Sequence, residues 1–293
     1  MPESILERAE EFSLPEALTV KPGPGELPRL NVETGLCSGA QYLLGATVTD
    51  WQPVGHEPVL FTSSQAAYRD GKAIRGGVPI CFPWFGSHPT DADAPSHGLV
   101  RTIPWRLTQT AQGPAGVETK MVTTLDQLHA DYRVTFGKQL TLNLTVTNIA
   151  DTDQTFEAAL HSYFNVGDAR QVTISGLEYA KYIDQLQDNK VCEQGDRPIT
   201  FAAETDNIYI NTQATCVLTD PVLKRKITIE KLGSLSTVVW NPWIDKSKRT
   251  ADFGDDEWMG MCCIESANIG DDAVRLAPGE SHTVLVKLSV DSL

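Results

Sequence analysis

Strict two-residue alternation of apolar and polar side chains recurs along this chain, and it restricts the fold more than any other feature. Leu142, Leu144 and Val146 alternate with Thr141, Asn143, Thr145 and Thr147, and Val284, Val286, Leu288 and Val290 repeat the pattern near the C-terminus. Ile227-Thr228-Ile229 is a shorter case. In an extended backbone successive side chains point to opposite faces, so this spacing buries one face and wets the other. Val117–Leu125, Val172–Ile174 and Thr237–Trp240 add strand candidates, with turn residues between them at short intervals. After the first dozen residues no stretch keeps a 3.6-residue period, apart from a turn or two of helix expected around Leu125–Tyr132. Short strands without intervening helices pack as two layers, so the expected fold is all-β: a large antiparallel β-sandwich with a ligand cleft on one sheet.

No internal repeat and no second breaker-rich linker divide the chain, so one domain is expected over residues 1–293. Residues 1–28 would be an extension of it. There Ser4 can cap a short helix reaching Phe12, with Glu7 completing a capping box, and Pro22–Pro28 (PGPGELP) reads as a linker. The start, MPESILERAEEF, lacks the basic and apolar regions of a secretory signal. The six cysteines (Cys37, Cys81, Cys192, Cys216, Cys262, Cys263) form no C-x-x-C pair, which fits reduced thiols in a cytoplasmic protein. A monomer is expected. A net charge of −14 argues against nucleic acid or an anionic membrane surface as partner. No apolar run approaches membrane-spanning length.

An acidic chain that binds an anion must do so through a local basic pocket, and one stretch could build it. Ala73–Trp105 opens with Arg75 beside two glycines, closes with His97-Gly98 and Arg101, and holds Pro79, Pro83, Trp84, Phe85 and Gly86 between. Glycine and proline together hold an irregular segment in one shape. A guanidinium at each end suits a carboxylate or phosphate. A solvated loop with two unrelated arginines is the plainer alternative.

Two further segments look wrong for a plain core. Within Thr155–Val166, Phe156, Ala158, Leu160 and Ser162 share one face of an expected strand, and Glu157, Ala159, His161 and Tyr163 share the other, a sheltered rather than solvated face. A core histidine satisfied by a backbone carbonyl is the alternative for His161. Met259–Ala267 is apolar on both faces until Glu265. A carboxylate there must be paired, hydrogen-bonded or shifted in pKa, so a core salt bridge and a catalytic role both remain open. Asp206 begins a strand-like run, and Trp240-Asn241-Pro242-Trp243 places aromatic rings where they can cover a sugar or fill a core.

In order, the chain carries I-R-G-G-V-P-x-x-x-P-W-F-G, H-G-x-x-R-x-x-P-W, A-L-H-S-Y-F-N-V-G, T-D-x-x-Y, V-V-W-N-P and C-I-E-S-A. Over about Leu43 to Ser289 it therefore resembles the D-hexose-6-phosphate mutarotases, the glucose-6-phosphate 1-epimerases of the aldose 1-epimerase superfamily. The resemblance implies a galactose-mutarotase-like sandwich. It implies His161 and Glu265 as catalytic residues, Asp206 and His97 on the sugar hydroxyls, and Arg75 and Arg101 near the sugar phosphate. It implies neither cofactor nor metal. Ser96 departs from the Gln that family members commonly carry before the His-Gly pair, which removes one expected ligand contact.

Exchange of α and β anomers opens a hemiacetal: a base takes the C1 hydroxyl proton while an acid protonates the ring oxygen. Glu265 is expected as base and His161 as acid, with an ionised Glu265 favouring a protonated imidazole. Three rivals stand beside this reading. One is a mutarotase of unphosphorylated aldoses, which needs no anion clamp. Another is a non-catalytic sugar-phosphate-binding module, indifferent to the acid–base pair. The third is a metal-dependent isomerase using His56, His88 or His97, though no close His-x-His spacing supports it.

Overall fold

The structure, a computed structural model, describes residues 5–293. Two eight-stranded sheets dominate it. The first runs in the order Lys190–Glu193, Lys181–Asp184, Thr205–Tyr209, Ser236–Asn241, Met261–Asn268, Ala158–Leu160 and Ile80–Cys81, with Tyr163–Asn165 also paired to Met261–Asn268. The second runs Thr173–Ser175, Cys216–Asp220, Arg225–Leu232, Ser281–Ser292, Leu140–Asn148, Leu128–Phe136, Gly116–Leu125 and Arg106–Gly113. One apolar cluster joins Val239, Cys262 and Ile264 of the first sheet to Leu142, Ile227 and Val286 of the second. The core thus lies between the sheets, the arrangement expected of a sandwich. Alternation is clearest in the second sheet, where Leu128–Phe136 and Leu140–Asn148 are buried at every other residue along their whole length.

Several expectations about local structure need correction. The helical turns expected around Leu125–Tyr132 are instead a tight hairpin, with Leu125 paired to Leu128 across Asp126, whose φ is 52°. The Pro22–Pro28 segment, expected as a linker, turns a hairpin: Leu18–Pro22 pairs with Pro28–Glu33 around a short 3-10 turn, inside a four-stranded sheet with Cys37–Tyr42 and Val48–Pro53. The N-terminal helix spans Ile5–Glu10 and stops short of Phe12, and the proposed cap Ser4 lies outside the described residues. A helix at Trp243–Arg249 was not expected at all. Its seven residues bury only Ser247, too little for an apolar stripe to show in the sequence.

The segment Thr155–Val166 is not one strand but three. Gln154–Phe156 pairs with Val274–Leu276, while Ala158–Leu160 and Tyr163–Asn165 both pair with Met261–Asn268. Leu160 lies opposite Ser266 and Tyr163 opposite Cys263, so the break at His161-Ser162 falls opposite Glu265 and Ile264. The broken ladder is closed elsewhere: the His161 amide donates to the Pro79 carbonyl, and the Ile264 amide to that of Ser162. Met261–Asn268 is buried along its entire length, Cys262 and Ile264 against the inter-sheet core and Met261 and Cys263 in a second cluster on the opposite face.

Candidate active site

Sheet register aligns the site. Asp206 pairs with Trp240, Trp240 with Cys263 and Cys263 with Tyr163, forming one rung across four strands. Glu265 pairs with Val238 in a neighbouring rung, beside the break that holds His161. Side chains of a rung share a face. Above this face opens a cleft of about 340 Å³. His161, Tyr163, Asp206, Trp240 and Glu265 line it from the sheet, and Arg75, Phe85, Ser96 and His97 from the Ala73–Trp105 stretch.

At its floor His161 Nε2 stands 3.3 Å from Glu265 Oε1. Glu265 is 1% exposed and His161 7%, so the pair is shielded from water except through the cleft. His161 Nδ1 and Glu265 Oε2 are buried and accept or donate no hydrogen bond among the described residues. The imidazole is boxed by rings: Tyr163 stacks on it at 4.6 Å between centroids and 11° between planes, while His97 and Trp240 meet it edge-on. Burial pushes the Glu265 carboxyl well up, with the nearby Asp206 adding to the shift and Arg101 opposing it. Burial also pushes the His161 imidazole well down, helped by His97, Arg101 and Arg75. The expected charge-separated pair is therefore not the resting form that burial favours. A neutral pair sharing one proton is cheaper inside a dry site.

His97 reaches the cleft through an unusual backbone. Its φ is 62°, and Gly98 follows at 75°, where any Cβ would lie 2.0 Å from the Phe82 carbonyl oxygen. Only glycine fits that close approach. The Gly86 amide donates to His97 Nδ1 at 3.2 Å, and burial, with Arg101, Arg75 and Lys246 nearby, pushes the ring down to about 3. So low a value favours the uncharged His97 ring near neutral pH. Its neighbour Ser96 gives the cleft a short side chain, while Gln185, just beyond the Lys181–Asp184 strand, brings an amide to the same cavity.

The two arginines differ. Arg75 is committed: Nε donates to Asp252 Oδ1 at 3.1 Å, Nη2 stands 3.0 Å from the same oxygen as an ion pair, and Nη1 donates to the Tyr163 hydroxyl at 3.2 Å. Arg101 donates through Nη2 to the Ser96 carbonyl at 2.6 Å and meets no carboxylate among the described residues. Its Nε is buried and unpartnered. Arg101 is bonded to Ser96, which lines the cleft, and its charge is felt at His97, His161 and Glu265.

Sequence reasoning missed Lys246. It sits on the unforeseen Trp243–Arg249 helix, reaches Glu204 Oε1 at 3.3 Å and Asp206 Oδ2 at 3.5 Å, and lies over the Trp240 ring. Burial pushes Asp206 upward against the pull of this lysine. Nothing local in the sequence marked Lys246, because its partners lie about forty residues away on a separate strand. Among the described residues His161, Cys263 and Glu265 are the group able to hold a metal ion, their ligand atoms lying within 4.8 Å of one another. The imidazole, thiol and carboxylate set suits zinc chemically, but it is built on the acid–base pair itself. His88 instead accepts backbone amides of Thr90 and Asp91, outside the cleft.

The aldose 1-epimerase family model matches residues 30–289. A Cenchrus ciliaris protein carrying the provisional name glucose-6-phosphate 1-epimerase is 34% identical over 272 residues, which cover 86% of this chain and 81% of the relative. An Escherichia coli protein with the same provisional name is 36% identical over 236 residues, 77% of this chain and 78% of the relative. A solved structure from Salmonella typhimurium, described provisionally as a mutarotase, superposes with a TM-score of 0.89 at 29% identity, covering 96% of both chains.

Proposed function

Since this chain belongs to the aldose 1-epimerase family, and is an enzyme of the mutarotase type, we propose that it interconverts the α and β anomers of hexose 6-phosphates, glucose 6-phosphate foremost. One observation supports this reading above all: an imidazole and a carboxylate 3.3 Å apart at the floor of a cleft of hexose-accommodating size. The two oxygens that exchange protons in a hemiacetal are bonded to the same carbon, so their catalysts must stand side by side. His161 and Glu265 do.

Passage of the shared proton from Glu265 to His161 along their contact generates carboxylate and imidazolium with no change in net charge. Glu265 then removes the C1 hydroxyl proton while His161 protonates the ring oxygen, and the ring bond opens. After rotation about C1–C2 the aldehyde is attacked from its other face, and both protons return. Each positioned group supplies roughly 10²–10⁴-fold, ample for a reaction that already runs in water. Asp206, held by Lys246, and neutral His97 would orient the remaining hydroxyls. Arg101, without a carboxylate partner, is the first choice for the 6-phosphate, with Arg75 beside it.

One observation favours a second reading, a mutarotase of unphosphorylated aldoses. Asp252 already neutralises Arg75, and Glu204 and Asp206 neutralise Lys246, which among the described residues near the cleft leaves Arg101 as the cation without a carboxylate. NMR exchange between the anomeric protons decides the matter. Faster exchange of glucose 6-phosphate than of glucose supports the phosphate reading. Equal acceleration supports the free-sugar reading, and no acceleration of either refutes both. The proposal extends to one monomeric domain working in the cytoplasm, in keeping with six unpaired cysteines, five of them buried. Light scattering tests the monomer.

A further inference from the structure

We propose that Tyr163, Arg75 and Asp252 are positioning residues that hold His161 for proton transfer. The inference rests on the reading of His161 as the acid. Four side chains stand in series. Asp252 accepts from Arg75 Nε and pairs with its charge, Arg75 Nη1 donates to the Tyr163 hydroxyl, and the Tyr163 ring lies parallel on the imidazole at 4.6 Å.

Each link restrains the next. His161 sits at a break between two short strands, its backbone tied only by the amide bond to Pro79, and among the described residues its Nδ1 has no partner to fix the ring. Its orientation rests on the Nε2 contact with Glu265 and on the rings around it, of which only Tyr163 lies face-on. Tyr163 is 2% exposed and pinned at both ends, by the strand pairing of its backbone to Cys263 and by the hydrogen bond on its hydroxyl. A ring tethered at its far tip cannot swing about its side-chain torsions, and the imidazole stacked on it is confined to the plane that keeps Nε2 beside Glu265.

Asp252 extends the series to the Trp243–Arg249 helix. It lies in the turn just after that helix, where Phe253 packs with Tyr163 and Met261 in one cluster. The helix bearing Lys246 and the turn bearing Asp252 therefore brace opposite walls of the cleft, Asp206 on one side and Arg75 on the other. Arg75 gives Nε to Asp252 and Nη1 to Tyr163, which fixes its guanidinium in place and still leaves donors that a phosphate could use.

Kinetics of glucose 6-phosphate anomerisation test this with Tyr163→Phe, Asp252→Asn and their double variant. Tyr163→Phe preserves ring and volume and deletes only the hydroxyl that Arg75 holds. Each single variant is expected to lower kcat by up to roughly 10²-fold, the scale of a small misplacement of a catalytic group, with KM unchanged within about twofold. The double variant is expected to be no worse than the weaker single one, because both cut the same series. Multiplying effects, or a raised KM with kcat intact, would overturn the proposal and leave Arg75 acting on the phosphate alone. The imidazole ¹⁵N resonances of His161, assigned by their loss in His161→Gln, give a readout free of turnover. They are expected to shift in both single variants, and unmoved resonances would also overturn it. If the wild-type protein does not anomerise hexose 6-phosphates, the functional reading fails while this second measurement still decides the positioning.

Discussion

Replacing Glu265 by Gln separates the catalytic value of the carboxyl from its cost to the fold. The amide keeps the shape but can neither remove nor hold the C1 proton, so anomer exchange should fall by roughly 10²–10⁴-fold, about 3–5 kcal/mol of barrier. Stability should move the other way. Glu265 is 1% exposed, and burial raises its pKa above the unfolded value. A group whose folded pKa is raised lends stability that is full below its unfolded pKa and is lost as pH climbs toward the folded one. The wild-type protein must therefore weaken relative to Glu265→Gln as pH rises, by at most about 1.4 kcal/mol per pH unit. In a chain of this size that is a few degrees of Tm at most, about 2–4 °C per kcal/mol. Above neutral pH the His161 imidazole is uncharged in folded and unfolded chains alike, so melting curves taken there isolate Glu265. The assay is a pair of thermal melts at several alkaline pH values, with NMR exchange on the same samples. A variant less stable than wild type by a constant amount at every pH would refute the argument, for it would mean that Glu265 rests ionised against an imidazolium and that the pair stabilises the fold.

Further outcomes follow from the same geometry. Activity should show a broad bell in pH, since the working pair carries one proton: burial of His161 moves the acid limb below the ordinary histidine range, and burial of Glu265 moves the alkaline limb above the ordinary carboxylate range. A narrow bell centred on ordinary values for the two groups would contradict the burial argument. Arg101→Met should raise KM for glucose 6-phosphate by roughly 10–100-fold, the worth of one charged hydrogen bond, and leave free glucose untouched. Equal loss on both sugars would remove Arg101 from phosphate recognition. Arg225, 2% exposed, donates to the carbonyls of Glu57, Pro58 and Asn165, so Arg225→Met should cost about 3–5 kcal/mol in chemical denaturation. Dialysis against EDTA should leave turnover intact, and a loss restored by zinc would reassign His161, Cys263 and Glu265 as metal ligands.

Much of the fold was legible in the sequence because a half-buried strand advertises itself locally. The alternation through Leu140–Asn148 and Ser281–Ser292 needs no knowledge of partners, since each residue's neighbours two positions away already share its environment. Glu265 was legible too, as a carboxylate ending an apolar run with no local means of satisfying it. Tertiary structure alone decided what answers it. The break at His161 arises because Ala158–Leu160 and Tyr163–Asn165 pair with separate parts of one strand, and only that register brings imidazole and carboxylate together. It also decided that Arg75 spends its donors on Asp252, 177 residues later, and that a seven-residue helix without an apolar stripe delivers Lys246 to Asp206. Local patterning records which face of a residue is dry. Which charge lies beside which is set by sheet register, and short-range sequence carries no trace of that.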